Sequence, residues 1–182
     1  MSRAATLELT EAAAVLGLAR AAIRAHLGIG GAPPMPTSGA LAQPRGAFVT
    51  LRRAGALRGC VGTFVPPGSL AETVVRMAVA AAAEDPRFPP VAADEVDDLD
   101  LHVSVLDPVR RMREVSELQV GRDGVLVRLG WHRGALLPGV AAEEGWDAET
   151  FLERTCLKAG LPPDSWKDPA AVVELFSTEE LG

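Results

Sequence analysis

Residues 57–64, with the sequence LRGCVGTF, hold the side chains whose types and spacing are best suited to chemistry. In a β-strand, alternate side chains share a face, which would place Arg58, Cys60 and Gly62 on the same side. Positions two apart are separated by about 6.5–7 Å along a strand, and an arginine at that distance can favour the thiolate form of a cysteine. Gly59 and Gly62 carry no side chain that would block an approaching molecule. The segment predicts a reactive thiol at Cys60, with Arg58 as its electrostatic partner and Gly59 and Gly62 bordering a substrate site.

The alternative is a structural cysteine in a strand that needs glycines for close packing. Spacing alone favours this alternative, because free cysteines are among the most frequently buried residues. The second cysteine, Cys156, lies on the apolar stripe of a predicted helix, so we expect it in the core. Two separated cysteines cannot form a disulfide framework or a four-thiolate metal site.

Other polar residues are candidates for roles beside the thiol. His102 and Ser104 share one face of a predicted strand, and a histidine facing Cys60 could act as a base, although nothing in the sequence places the two strands side by side. Ser104 is a candidate for substrate binding. Arg87 belongs to the proline-rich turn DPRFPP, in which the prolines explain the end of a helix, and it could line a cleft. The three histidines lack metal-ligand spacing, so we expect no metal and see no evident cofactor.

The elements that must position these residues follow from hydrophobic periodicity and from capping and turn signals. The first predicted elements are a helix from a Thr10 cap to about His26 with a stop at Gly28, an irregular stretch over 28–45, and strands 47–51 and 57–65 joined by a loop at 52–56. A helix opened by the capping box Ser69–Glu72 and a strand over 99–106 follow. The remaining predictions are a second hairpin with strands 125–129 and 134–137, a helix capped by Asp147 and stopped by Gly160, and a final strand over 172–176. Hairpins separated by helices, without a βαβ rhythm, predict an α+β fold with a mainly antiparallel sheet flanked by helices.

The length and composition are those of one globular domain over residues 1–182. Hydrophobic residues make up 48% of the chain and charged residues 23%. Eighteen basic and twenty-four acidic residues give a net charge of −6, which argues against a nucleic-acid-binding surface. The first residues show no secretory signal, and the most apolar stretch is too short to span a bilayer, so we expect a cytoplasmic protein that does not bind membranes.

Several segments together resemble the AMMECR family, which includes the proteins called AmmeMemoRadiSam system protein A. The segments that carry the resemblance are GAFVTL at 46–51, LRGCVG at 57–62, DPRFPP at 85–90, VSVL at 103–106, GRDG at 121–124, GALLP at 134–138, EGWD at 144–147 with Phe151 and Leu152, and CLKAGLP at 156–162. The resemblance covers nearly the whole chain. It implies an α+β fold with a smaller lobe packed beside the main one, and a cleft near Arg58, Gly59 and Cys60.

The resemblance also implies partners. The family name reflects a genetic association with a Memo-like protein and a radical SAM protein, and two separated cysteines cannot hold the radical SAM cluster in this chain. The chain departs from the family at His102, where relatives commonly have glutamate, and at Gly139, where they commonly have glutamine.

Two hypotheses for the function follow. One is a cysteine-dependent enzyme or carrier in a modification pathway, acting on an unknown small molecule or protein. The other is a non-catalytic binding or scaffold module that recruits the partners or a substrate.

Overall fold

The computed structural model describes residues 7–182, which form four α-helices and eight β-strands joined by turns and short 3-10 helices. Residues 1–6 lie outside the described residues, and the prediction that the chain opens without a secretory signal depends partly on them. The elements are α1 (Leu9–His26), β1 (Ala47–Arg53), β2 (Ala56–Thr63), α2 (Leu70–Ala83), β3 (Leu99–Leu106), β4 (Arg110–Arg111), β5 (Gly124–Leu129), β6 (His132–Leu136), α3 (Pro138–Glu143), α4 (Ala148–Lys158), β7 (Val172–Phe176) and β8 (Thr178–Leu181).

The chain forms two compact units. The first runs to Leu106 and takes back the last four residues, Glu179–Gly182, whereas the second is the continuous segment Asp107–Thr178. Each unit has its own four-stranded sheet, with strand order β2-β1-β3-β8 in the first and β4-β7-β5-β6 in the second. The prediction of an α+β fold is confirmed, and its antiparallel sheet is in fact two sheets. No helix within residues 7–182 combines the length and the apolar character needed to cross a membrane.

In the first unit, alternation along β1 separates a core face from an outer face. Ala47, Val49 and Leu51 are fully buried, and α2 packs against β1 and β2 while α1 packs against α2 and β3. The residues between them, Phe48 and Thr50, therefore point to the face opposite α2. Because β1 is paired with β2 on one side and β3 on the other, both antiparallel, this outer face brings residues of three strands together.

Local signals explain most element boundaries in this unit. The predicted capping box at Ser69 and Glu72 is present, with the Ser69 hydroxyl accepting from the Glu72 amide at 3.2 Å. The predicted stop at Gly28 is confirmed by its positive φ of 72°. The Thr10 cap is wrong, because Glu8 is the N-cap and Thr10 lies inside α1.

The hairpin loop at 52–56 is shorter than predicted. The strands continue to Arg53 and from Ala56, leaving only Ala54 and Gly55 between them, with φ values of 49° and 79°. Two consecutive positive φ values are typical of the tight turns whose twist matches that of the flanking strands.

The second unit buries α4 against its sheet. Asp147 caps this helix by accepting from the Thr150 amide at 2.8 Å, and Gly160, at φ 74°, follows its end. The Leu161 amide donates to the Cys156 carbonyl at 3.0 Å, as expected where a glycine in the left-handed region terminates a helix. Both predictions are confirmed. The short strands β4 and β8 are absent from the sequence-based assignment.

Candidate functional site

Cys60 lies on the outer face of β2, which is an edge strand of the first sheet. It is paired with Thr50 on β1, and the Thr50 hydroxyl donates to the Cys60 sulfur at an Oγ1–Sγ distance of 3.3 Å. The thiol is of intermediate exposure. The residue is thus neither sealed in the core nor fully solvated, and one polar contact already orients its sulfur.

The turn after α2 holds the backbone of Cys60 from the open side of the strand. The Cys60 amide donates to Asp85 Oδ2 at 2.8 Å, and Arg87 Nη2 donates to the Cys60 carbonyl at 3.2 Å. Asp85 and Arg87 are bound to each other through Nε–Oδ1 at 2.9 Å and Nη2–Oδ2 at 2.6 Å. This Asp85–Arg87 clamp occupies the position that a neighbouring strand would take beside Cys60.

Both members of the clamp are held in their charged forms. Hydrogen bonding to Arg87 keeps the pKa of Asp85 well below its usual range, even though burial raises it, and the amides of Cys60 and Arg87 lower it further. The pKa of Arg87 is raised, chiefly by its hydrogen bond to Asp85, while desolvation opposes this and the charge of Asp85 and the Cys60 side chain make smaller contributions in the same direction as the hydrogen bond. Asp85 is buried, whereas the Arg87 side chain is 55% exposed. The clamp therefore presents one guanidinium to solvent close to the thiol.

Arg58 contacts a different part of the molecule. Its guanidinium donates to both carboxylate oxygens of Glu95, at 3.2 and 2.9 Å, and to the carbonyls of Pro89 and Pro90, at 2.7 and 3.1 Å. The hydrogen bonds from Arg58 lower the pKa of Glu95 to about 2, helped by the Ala92 amide and opposed by burial. The side chains of Arg58 and Glu95 are only 14% and 15% exposed.

A β-bulge explains why the strand period misplaced Arg58. Leu51 is paired with Gly59, but the next residue, Arg52, is paired with Leu57, so Arg58 is the extra residue on β2. Alternation does not carry across a bulge. The guanidinium that contacts Cys60 within the described residues is that of Arg87. Arg58 bonds instead to Glu95 and to the carbonyls of Pro89 and Pro90.

The glycines beside Cys60 have packing roles. A Cβ at Gly59 would overlap the carbonyl oxygen of Ala81 in α2, and one at Gly62 would overlap the ring of Phe48. The interpretation that they leave the approach to the thiol open is wrong, because a helix backbone and an aromatic ring already fill those spaces. Their backbone groups remain candidates for substrate contact.

His102 and Ser104 lie on the same outer face without touching Cys60. Thr50 is paired with Cys60 on one side and with His102 on the other, so the two residues are separated by two strand spacings, roughly 9–10 Å. His102 is exposed. Ser104 is buried and donates to Glu180 Oε2 at 2.6 Å. The base and substrate-binding roles given to them stay predictions.

Thr50 and Asp85 are the site residues that sequence reasoning missed. Asp85 had a usable signal, because an aspartate in a turn commonly accepts a hydrogen bond from the backbone amide two residues later. Here the Arg87 amide donates to Asp85 Oδ1 at 3.1 Å. Thr50 had none, since its role depends on the pairing of β1 with β2. Residues 7–182 contain no cluster of three or more His, Cys, Asp or Glu side chains suited to a metal ion.

The motifs agree with known proteins across most of the chain. The family model described as AMMECR1 matches residues 16–181. The chain belongs to the AMMECR1 family. A Methanothermobacter thermautotrophicus protein is 49% identical over 143 residues, covering 75% of this chain and 74% of the relative, and a Thermococcus gammatolerans protein is 45% identical over 174 residues, covering 89% and 85%. The crystal structure of an uncharacterized Pyrococcus horikoshii protein has a TM-score of 0.82 and 42% identity, covering 91% of this chain and 88% of that one.

Within this AMMECR1 domain, the resemblance drawn from motifs is therefore confirmed as a family assignment. Its most informative segments, LRGCVG and DPRFPP, are the two that meet at Cys60 through the Asp85–Arg87 clamp.

Proposed function

We propose that this AMMECR1 domain acts through the Cys60 thiol, as a cysteine-dependent enzyme or a covalent carrier. The observation that carries the proposal is the environment of one sulfur. It is half-buried, it accepts a hydrogen bond from Thr50, and the outward amide and carbonyl of Cys60 are held by Asp85 and Arg87. A nucleophile gains from being held in one orientation, because less freedom has to be lost on reaching the reactive geometry.

The neighbouring groups suit the chemistry of a thiol. Cysteine reacts as the thiolate, and a hydroxyl donor and a cation beside the sulfur stabilise negative charge on it. Arg87 takes the role that the strand period suggested for Arg58. Asp85 acts as a positioning residue, since it holds the guanidinium and the Cys60 amide together.

The proposed setting is a modification pathway that includes Memo-like and radical SAM proteins. Family resemblance is what supports these partners, and the substrate would be a small molecule or a protein segment that reaches the outer face of β2.

Alkylation by iodoacetamide, followed by mass spectrometry of the peptide containing Cys60, tests the proposal. Arg87→Met and Thr50→Val should each slow alkylation at pH 7 several-fold, because each removes a group that stabilises charge on the sulfur. Arg122→Met is the matched control. Arg122 is 51% exposed and pairs with buried Asp123 at 2.7 Å in the second unit, as Arg87 does with Asp85.

Thermal melts of the same variants show whether each is folded at the assay temperature. If the folded Arg87 and Thr50 variants react as fast as wild type, the thiol is not activated by its surroundings. That result would favour the alternative, a non-catalytic module that binds partners or a substrate at this surface.

A further inference from the structure

Along β2, residues whose backbone groups bond to β1 alternate with residues whose backbone groups point outward from the sheet edge. In an antiparallel pair, the N–H and C=O of every second residue point away from the partner strand. Cys60 is such a residue, because its amide and carbonyl meet Asp85 and Arg87 rather than β1. Gly62, two residues further along in unbroken register, must also point its N–H and C=O outward.

The outward groups of Gly62 are available. None of the hydrogen bonds among residues 7–182 joins them to another group outside the strand ladder. Beyond Gly62 the edge ends, since the Thr63 hydroxyl donates to the Val65 carbonyl at 2.9 Å and accepts from the Val65 amide at 3.1 Å. One backbone donor and one acceptor are therefore left between a turn on one side and the clamp on the other, about 7 Å from Cys60 along the strand.

A peptide backbone is the chemical group that matches an outward N–H and C=O at strand spacing. The direction in which the peptide runs along β2 follows from the positive charge of Arg87. A peptide antiparallel to β2 runs from Thr63 towards Cys60, so its carboxyl end approaches Arg87. A parallel peptide would instead bring its amino end to the guanidinium, where like charges repel.

Arg87 can receive that carboxyl end. The hydrogen bonds of its guanidinium within the described residues use Nε and Nη2, which leaves Nη1 without an acceptor. Because more than half of the side chain is exposed, a carboxylate can reach it from solvent. The clamp also blocks continued pairing at Cys60, so a bound peptide has to end within about one residue of its contact with Gly62.

We propose that the β2 edge at Gly62 binds the carboxyl-terminal end of an extended peptide, with its backbone on Gly62 and its terminal carboxylate on Arg87. If the thiol is reactive, the bound peptide is its substrate class, and only this assignment rests on the proposed function. The binding itself does not require a reactive Cys60.

The test uses the full chain carrying Cys60→Ser, labelled with ¹⁵N, so that binding is measured without thiol chemistry. The probes are the peptide acetyl-Val-Thr-Val-Thr with a free carboxylate and the same peptide with a carboxyl-terminal amide. We expect the carboxylate form to shift the Gly62 amide resonance, to slow its hydrogen exchange and to bind at least about tenfold more tightly than the amide form, as a charge-assisted hydrogen bond would produce.

Arg87→Met in this background should remove the tenfold preference, and Arg122→Met should keep it. Equal binding of the two peptides in the parent protein, or no change at Gly62 with either peptide at millimolar concentration, would overturn the proposal. A shifted Gly62 together with an unreactive Cys60 in wild type would leave the peptide site standing and defeat the proposed function instead.

Discussion

The two cysteines differ in what surrounds their sulfur atoms. Cys156 is 0% exposed within the core of the second unit, and burial raises the pKa of its thiol, opposed by a hydrogen bond from the Trp166 amide. Cys60 is partly exposed. We therefore expect iodoacetamide to label Cys60 at least tenfold faster than Cys156 in the native protein at pH 7. Mass spectrometry of both peptides over a time course measures this, with denatured protein as the control. Equal native rates would contradict it.

Arg58 is expected to matter for folding more than for the thiol. Replacing it with methionine removes four hydrogen bonds to Glu95 and to the two proline carbonyls. The described partners that Glu95 then keeps are the more exposed Arg53, at 2.9 Å, and the Ala92 amide, at 2.8 Å. Loss of a hydrogen-bonded charge pair at this level of burial costs about 2 kcal/mol. Arg58→Met should lower the Tm while the alkylation rate of Cys60 stays within about twofold of wild type. A rate reduced as much as in Arg87→Met would show that Arg58 does act on the sulfur.

The contact between β2 and α2 depends on a missing side chain at Gly59. Because a Cβ there would overlap the Ala81 carbonyl, Gly59→Ala should force strand and helix apart and destabilise the fold by about 1–3 kcal/mol. Gly17→Ala is the control, since nothing lies within 4 Å of that Cβ in the middle of α1, and it should stabilise by up to about 1 kcal/mol. Urea unfolding of both variants measures the two free energies. A neutral Gly59→Ala would refute the close-packing explanation.

The segment between α2 and β3 should respond to acid through Glu95. Its pKa is about 2 in the folded protein against an ordinary 4.5, so its contribution to stability is present above about pH 4.5 and is lost as the pH falls towards 2. The free energy of unfolding of wild type should fall more steeply between pH 5 and pH 2.5 than that of Glu95→Gln. The two curves are compared by difference, because Asp85 titrates in both proteins. Parallel curves would mean that the Arg58–Glu95 pair adds nothing.

Local signals in the sequence were enough for most helices and for the long strands. The Ser69 capping box, the Asp147 cap and the Gly160 stop each act within a few residues, so each was predicted correctly. The candidate site depends on pairing between distant segments, which periodicity does not contain. Cys60 meets Asp85 only because α2 returns the chain to the edge of β2. The bulge at Arg58 is also set by the register between strands, which is why periodicity does not show that Arg58 bonds to Glu95 while Arg87 contacts Cys60.

At the scale of the whole molecule, residues 179–182 return to the first unit and supply most of the fourth strand of its sheet. Both Glu179 carboxylate oxygens accept from the Leu7 amide, at 2.9 and 3.2 Å, and Glu180 accepts from Ser104, while Leu181 is buried. Deleting 179–182 should therefore destabilise the first unit and spare the second. Hydrogen exchange should show faster opening in β1 and β3, with β5 and β7 unchanged. Deleting Gly182 alone is the control, and equal loss of protection in both units would contradict the expectation.

The division of the chain has a consequence for its synthesis. Asp107–Thr178 is continuous, and its two ends are joined where the Asp107 amide donates to the Ser177 carbonyl at 2.9 Å. Residues of this unit leave the ribosome together and can fold as soon as they emerge, whereas the sheet that holds Cys60 waits for its fourth strand until β8 has been synthesised. At about 5–20 residues per second, that wait lasts several seconds. During it the β3 edge is unpaired, so a nascent chain of this protein is most exposed to misassociation at the sheet that carries its candidate site.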